Sequence, residues 1–163
     1  MNELAAKVIR TLGQRSLHIA VAESLTGGLL GATLTSVPGS SKVFLGGVVS
    51  YATRLKTALL GVPSDTIAHH SVVSEEVAIE MAVGLQNRTN ADWVIAVTGV
   101  AGPDPQDGHA PGEVWVCVLG PRVASLPQFR QAERFQFEGD REAVRAQTVD
   151  AAFTMLLRVV SPV

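Results

Sequence analysis

The chain has 163 residues, 47% of them hydrophobic and 17% charged, a balance that suits a globular domain with a sizeable core and excludes a disordered or fibrous chain. Thirteen basic against fifteen acidic side chains give a formal charge of -2, which excludes a broad electrostatic footprint for nucleic acid but leaves room for a small anion held by one or two arginines. Cys117 is the single cysteine, so a disulfide framework and a thiolate metal cluster are both excluded, and a reducing cytoplasm is the expected home.

The N-terminal "MNELAAKVIRTLGQRS" carries Glu3, Lys7 and Arg10 and lacks the apolar centre of a signal peptide. Leu4, Ala5, Val8, Ile9 and Leu12 recur at helical spacing from Asn2, with Gly13 as a stop. "HIAVA" reads as a buried strand ending at Glu23, and "GGLLGATLTSV" as a helix from Gly27 that stops before Pro38. "VFLGGVVSY" is strand-like and "TRLKTALLGV" a short helix ended by Gly61. His69 and His70 then fall on a connecting segment. A hydroxyl cap at Ser74 opens "SEEVAIEMAVGLQNR", with acids in its first turn and Val77, Met81 and Leu85 on one face.

"DWVIAVTGVAGP" is a strand opening into a glycine-bearing loop, and residues 103–111 form the one long irregular stretch. "GEVWVCVLG" and "ERFQFEG" follow as strands, and "DREAVRAQTVDAAFTMLLRVV" closes the chain as a helix capped by Asp140. Nowhere do about 18 apolar residues run together, so no membrane span is expected. Alternating helices and strands predict a layered α/β domain, one over residues 1–163, with helices on both faces of a mostly parallel sheet. In such folds ligands gather at the carboxyl ends of strands. Three polar segments fall there, 23–28, 50–56 and 98–102, and they are candidates for one shared cleft.

Ser24 lies at a strand-to-helix turn, and Gly27 with Gly28 lets backbone approach a ligand closely at what reads as a helix N-terminus. Free N–H groups there suit a phosphate or the oxyanion of an acyl-transfer intermediate; the competing reading is that Ser24 or Thr26 merely caps the helix. A nucleophilic serine needs a base. Of the histidines, His18 sits in a strand, His69 and His70 on a connection and His109 in the long loop, and spacing gives none of them a partner carboxylate; His70 comes nearest to a usable base. Lysine is the other recognised base, if burial removes its charge. Lys7 belongs to a terminal helix and Lys42 to a turn, whereas Lys56 lies near a strand end beside Leu55, Ala58 and Leu59, where burial can lower its pKa unless it is simply a solvated helix-face lysine.

Tyr51, the only tyrosine, sits at a strand end where a phenol can orient proton transfer or stack on a ligand ring, with plain packing as the alternative. Thr98, Gly99 and Gly102 offer a hydroxyl and backbone N–H groups at another strand end, unless they only make a tight turn. Arg141 stands in the first turn of a helix, where a cation gains nothing from the helix dipole, and Arg145 follows one turn later; either can reach for phosphate or lie solvated. Dinucleotide and P-loop glycine signatures and zinc spacings are absent. Trp93, Trp115, Phe135 and Phe137 alternate on strands and read as packing residues rather than base-stacking ones.

Taken together, "AESLTGG", "VFLGGVVSYATRLKTALLGV", "VSEEVAIEMAVG", "VTGVAGPD" and "FEGDREAVRAQ" resemble the CinA C-terminal domain family over residues 4–157. The resemblance implies a three-layer α/β/α sandwich with a mixed, mostly parallel sheet. It also implies hydrolysis of the carboxamide of nicotinamide mononucleotide to nicotinic acid mononucleotide and ammonia, in a stand-alone form without the preceding pyrophosphatase-like domain. By position, Ser24 matches the family's nucleophile and Lys56 its general base, while Tyr51 and Thr98 match polar residues of its site and Arg141 the arginine assigned to phosphate. Amides around Thr26, Gly27 and Gly28 are expected to hold the oxyanion, no metal or cofactor is expected, and a homodimer is implied. Two departures stand out: Thr53 and Arg54 replace an asparagine and an acid, and the loop "PDPQDGHAPGEV" is poorer in glycine and lacks a lysine before Pro111. Two other readings stay open: a nucleotide-binding or regulatory module without turnover, linked to competence or DNA damage, and a serine amidase for another small amide.

Overall fold

The computed structural model describes residues 2–160. Helix α1 (Glu3–Gly13) is capped by Asn2, whose side chain accepts from the Ala5 N–H. It is followed by β1 (Ile19–Glu23), α2 (Leu29–Thr35), β2 (Phe44–Val49), α3 (Thr53–Leu60), α4 (Ser64–His70), α5 (Glu75–Thr89), β3 (Trp93–Gly99), β4 (Glu113–Leu119), β5 (Arg130–Gln136) and α6 (Arg141–Val160).

The five strands form one sheet in the order β2-β1-β3-β4-β5. β1 pairs in parallel with β2 and β3, while β4 runs antiparallel to both β3 and β5. Four strands therefore share one direction and only β4 opposes them. Period-2 alternation divides the two faces. Ile19, Val21, Ile95 and Val97 join the core under α1, α2 and α6. Ala20, Ala22, Val94 and Ala96 face the opposite way, against α5 and the end of α3. The result is the expected α/β/α sandwich around a mixed sheet.

Small side chains on the second face let α5 approach closely. At Gly84 an added Cβ would lie 1.7 Å from the Leu60 carbonyl oxygen, so only glycine fits where α5 passes the end of α3. Arg88 fastens the same junction, donating to the carbonyls of Leu60 and Gly84.

Three expectations shift. The helix expected from Gly27 to Val37 spans only Leu29–Thr35, because Gly27 (φ 59°) and Gly28 (φ 102°) adopt left-handed conformations that the helix cannot include. The strand expected at 133–139 begins earlier, at Arg130, and ends at Gln136. It is an edge strand whose polar residues hide the alternation. His69 and His70 lie on α4, a seven-residue helix with no fully buried side chain and hence no apolar stripe to betray it.

Sheet direction decides where the polar segments meet. β1, β2 and β3 are parallel, so residues 23–28, 50–56 and 98–102 all leave the sheet at one edge. β5 points the same way and delivers Arg141, the first residue of α6, to that edge.

Candidate active site

At this edge the Lys56 amine lies 2.9 Å from the Ser24 hydroxyl oxygen and donates to the Ser50 carbonyl at 2.7 Å. The side chain comes from the middle of α3 and is only 1% exposed; no carboxylate pairs with it among the described residues. A buried ammonium without a counterion is costly, and burial lowers the Lys56 pKa from 10.5 to about 8. The solvated-lysine reading therefore falls. Burial thus makes the neutral amine easier to reach than in a free lysine, and its nitrogen sits within hydrogen-bond distance of an alcohol.

The turn that holds Ser24 is built from Glu23. Its buried carboxylate accepts from the N–H groups of Gly28 and Leu30 at 3.0 Å and of Gly31 at 2.9 Å, capping α2 from the end of β1. An acid at a helix N-terminus also suits the helix dipole. Neither Ser24 nor Thr26 serves as the cap, which leaves the Ser24 hydroxyl to the amine. Two of the three expected oxyanion donors need correction for the same reason, whereas the Thr26 N–H makes no hydrogen bond among the described residues. The Gly28 N–H is bonded to Glu23 and the Gly27 N–H to the Ser24 carbonyl. Thr26 is fully buried, with no hydrogen-bond partner for its hydroxyl among the described residues. The Leu25 N–H, the next amide after Ser24, has no bond among the described residues, and Leu25 lines the cavity beside Ser24.

The cavity brings together Ser24, Lys56, Tyr51, Thr98, Gly99 and Gly102, with Arg141 at its edge. Thr98 is buried and donates to the Val72 carbonyl at 2.8 Å, leaving its oxygen lone pairs for the cavity. Tyr51 is 57% exposed and stands at the mouth; its oxygen lies 2.6 Å from the Arg141 guanidinium rather than on the Ser24–Lys56 pair. Arg141 also donates to the Gly102 carbonyl at 2.8 Å. Arg145 is placed elsewhere: it donates to the Thr26 carbonyl at 2.9 Å and lies 3.8 Å from Glu142, so it braces the serine turn from behind.

Thr53, Asp104 and Gln106 also line the cavity, two of them from the irregular loop after Gly102. No residue type announces the Ser50 contact, because its acceptor is a backbone carbonyl. The histidine reading is also corrected, since three of the four have carboxylate neighbours: His18 with Asp92 at 3.3 Å, His70 with Glu76 at 3.3 Å and His109 with Glu113 at 3.1 Å. None reaches Ser24. Among the described residues no group of three or more His, Cys, Asp or Glu side chains is placed to hold a metal.

The family model described as "CinA C-terminal domain" matches residues 1–160. The chain belongs to the CinA C-terminal domain family. A CinA-like protein of Synechococcus sp. (strain CC9902) is 45% identical over 154 residues, covering 94% of this chain and 36% of that protein. A putative competence-damage inducible protein of Levilactobacillus brevis is 44% identical over 162 residues, covering 99% and 38%. The chain thus spans just over a third of the length of these curated CinA relatives. The crystal structure of competence damage-inducible protein A (ComA) from Klebsiella pneumoniae subsp. pneumoniae MGH 78578 superposes with a TM-score of 0.91 at 35% identity, covering 98% of this chain and 96% of that one. Membership carries the CinA fold. The chemistry has to be argued from the pair at the sheet edge.

Proposed function

We propose that this CinA-family domain is an amidohydrolase that uses Ser24 as nucleophile and Lys56 as general base, with nicotinamide mononucleotide as substrate. The carrying observation is the 2.9 Å approach of a buried amine lacking a counterion to the Ser24 hydroxyl. Ser24 attacks the carboxamide carbon while neutral Lys56 takes its proton. The Leu25 N–H, positioned like the amide after the nucleophile in other acyl-transfer sites, receives the developing oxyanion. Protonated Lys56 then gives its proton to the departing nitrogen, and ammonia leaves. Water, deprotonated by the same amine, attacks the acyl-Ser24 and releases the acid.

The rest of the cavity offers groups suited to a nucleotide. Arg141 supplies the cation for the 5′-phosphate, and the exposed Tyr51 ring at the mouth offers a face to the pyridinium. Thr98 presents a hydroxyl oxygen to a polar substrate group. A homodimer in the cytoplasm remains part of this reading.

The test is ammonia release from nicotinamide mononucleotide by the purified protein, repeated with Ser24→Ala and Lys56→Ala. Release that both substitutions abolish supports the amidase. Tight binding of the nucleotide without release would point to a regulatory module, and turnover only of other carboxamides would replace the substrate.

A further inference from the structure

A second serine stands in a hydrogen-bonded chain outside the Ser24 cavity. The Ser71 hydroxyl lies 2.8 Å from His109 Nε2, and His109 Nδ1 lies 3.1 Å from Glu113 Oε2. The three residues come from the end of α4, the loop after Gly102 and the start of β4. Glu113 is 8% exposed, and its second oxygen accepts from Arg134 Nε at 3.1 Å. These partners hold its carboxyl below the usual range despite burial, so it stays ionised. An ionised carboxylate only accepts. His109 Nδ1 must therefore carry the proton, leaving the Nε2 lone pair to accept from Ser71.

The order of groups is alcohol, imidazole, carboxylate. Ser71 opens onto a groove lined by Ile67, Ala68, Val72, His69, His70 and Asp107. Ser71 has φ 71° and ψ 157°, a backbone conformation that costs a side-chain-bearing residue energy and that glycine adopts freely. The Val72 N–H, the amide after Ser71, has no hydrogen bond among the described residues.

We infer that Ser71, His109 and Glu113 form a second nucleophilic site, independent of Ser24, that accepts small uncharged carboxylic esters from the groove beside α4. The Ser71 oxygen bonds to the ester carbonyl carbon as its proton passes to His109 Nε2. The carbon–oxygen bond to the alcohol then breaks, and the alkoxide leaves with that proton as the free alcohol. Water attacks the acyl-Ser71, gives one proton to His109 and releases the carboxylic acid. The proton returns to Ser71, so ester plus water give acid plus alcohol. Ile67, Ala68 and Val72 suit a short acyl chain. The shape of the site matches the serine–imidazole–carboxylate arrangement of acyl-transfer enzymes.

The experiment uses the full chain carrying Ser24→Ala, so that the first site is silent, with p-nitrophenyl acetate and an alkyl fluorophosphonate as probes. The expected result is covalent labelling at Ser71, located by peptide mass, and ester hydrolysis at least 100-fold above that of Ser24→Ala/Ser71→Gly. Glycine suits the backbone at 71, so the substitution is expected to leave the fold intact, as an unfolding titration of the same variant checks. Ser24→Ala/His109→Gln is expected to label at least 100-fold more slowly. Absence of labelling at residue 71, or hydrolysis unchanged by Ser71→Gly, would overturn the inference.

Discussion

Two serines in this molecule meet a basic nitrogen, and the two surroundings differ in kind. At Ser24 the nitrogen is a buried amine with no opposing charge among the described residues, made available by desolvation. At Ser71 it is an imidazole whose tautomer is fixed by an ionised carboxylate, which is in turn held by an arginine. The first arrangement depends on keeping charge and water out, the second on keeping charge in. The first should therefore respond steeply to pH and be costly for stability, while the second should depend on a chain of partners.

The largest effect is expected for Lys56→Arg, which keeps the charge but cannot supply a neutral base; ammonia release from nicotinamide mononucleotide should fall by about a thousandfold or more. A variant with normal turnover would remove desolvation from the account of Ser24. The pH profile comes next. Because the base must be neutral, kcat/KM should rise about tenfold per pH unit below the Lys56 value of about 8 and level off above it. A flat profile from pH 6 to 8 would show that Lys56 does not act as the base.

Stability should rise with pH as well, but in a higher window. Burial lowers the Lys56 pKa from 10.5 to about 8, so the folded state binds fewer protons than the unfolded one between those values. Stability then rises with pH through that window, and below it the buried ammonium costs about 3 kcal/mol. Lys56→Met should abolish turnover while raising unfolding stability at pH 7 by up to about that amount, read by denaturant titration. Glu23→Gln should lower stability by about 2 kcal/mol, because three N–H groups lose a charged acceptor, and turnover should fall with it as the Ser24 turn loosens.

Arg141→Ala is expected to raise KM about tenfold for the phosphorylated substrate and far less for its nucleoside. Equal effects on both would dismiss the phosphate assignment. The smallest change is at the other serine. Ser71→Gly relieves a left-handed serine and should raise stability by about 1 kcal/mol, and a measured loss would mean that the His109 contact outweighs the strain.

Much of the fold was legible because its signals are local. Ser74 followed by two acids predicts the start of α5, Gly61 predicts the end of α3, and continuous apolar runs predict β1 and β3. α4 stayed hidden because it buries no complete face, and the start of β5 because an edge strand tolerates polar residues. The cap of α2 was misread for a different reason. Its acceptor, Glu23, lies outside the helix at the end of a strand, five to eight residues from the amides it satisfies.

By itself the sequence determined the layered α/β architecture, the three polar segments at strand ends and, through its motifs, membership of the CinA C-terminal domain family. Tertiary structure alone decided that Lys56 is buried against Ser24, that Arg145 braces a turn, that Tyr51 faces Arg141, and that His109 joins Ser71 to Glu113. Periodicity and caps are written in neighbouring residues, so a sequence displays them. Desolvation and hydrogen-bond partnership depend on what the fold brings within about 3 Å, and apart from His109 and Glu113 these partners stand 32 to 119 positions apart and carry no mark of their meeting until the sheet is assembled.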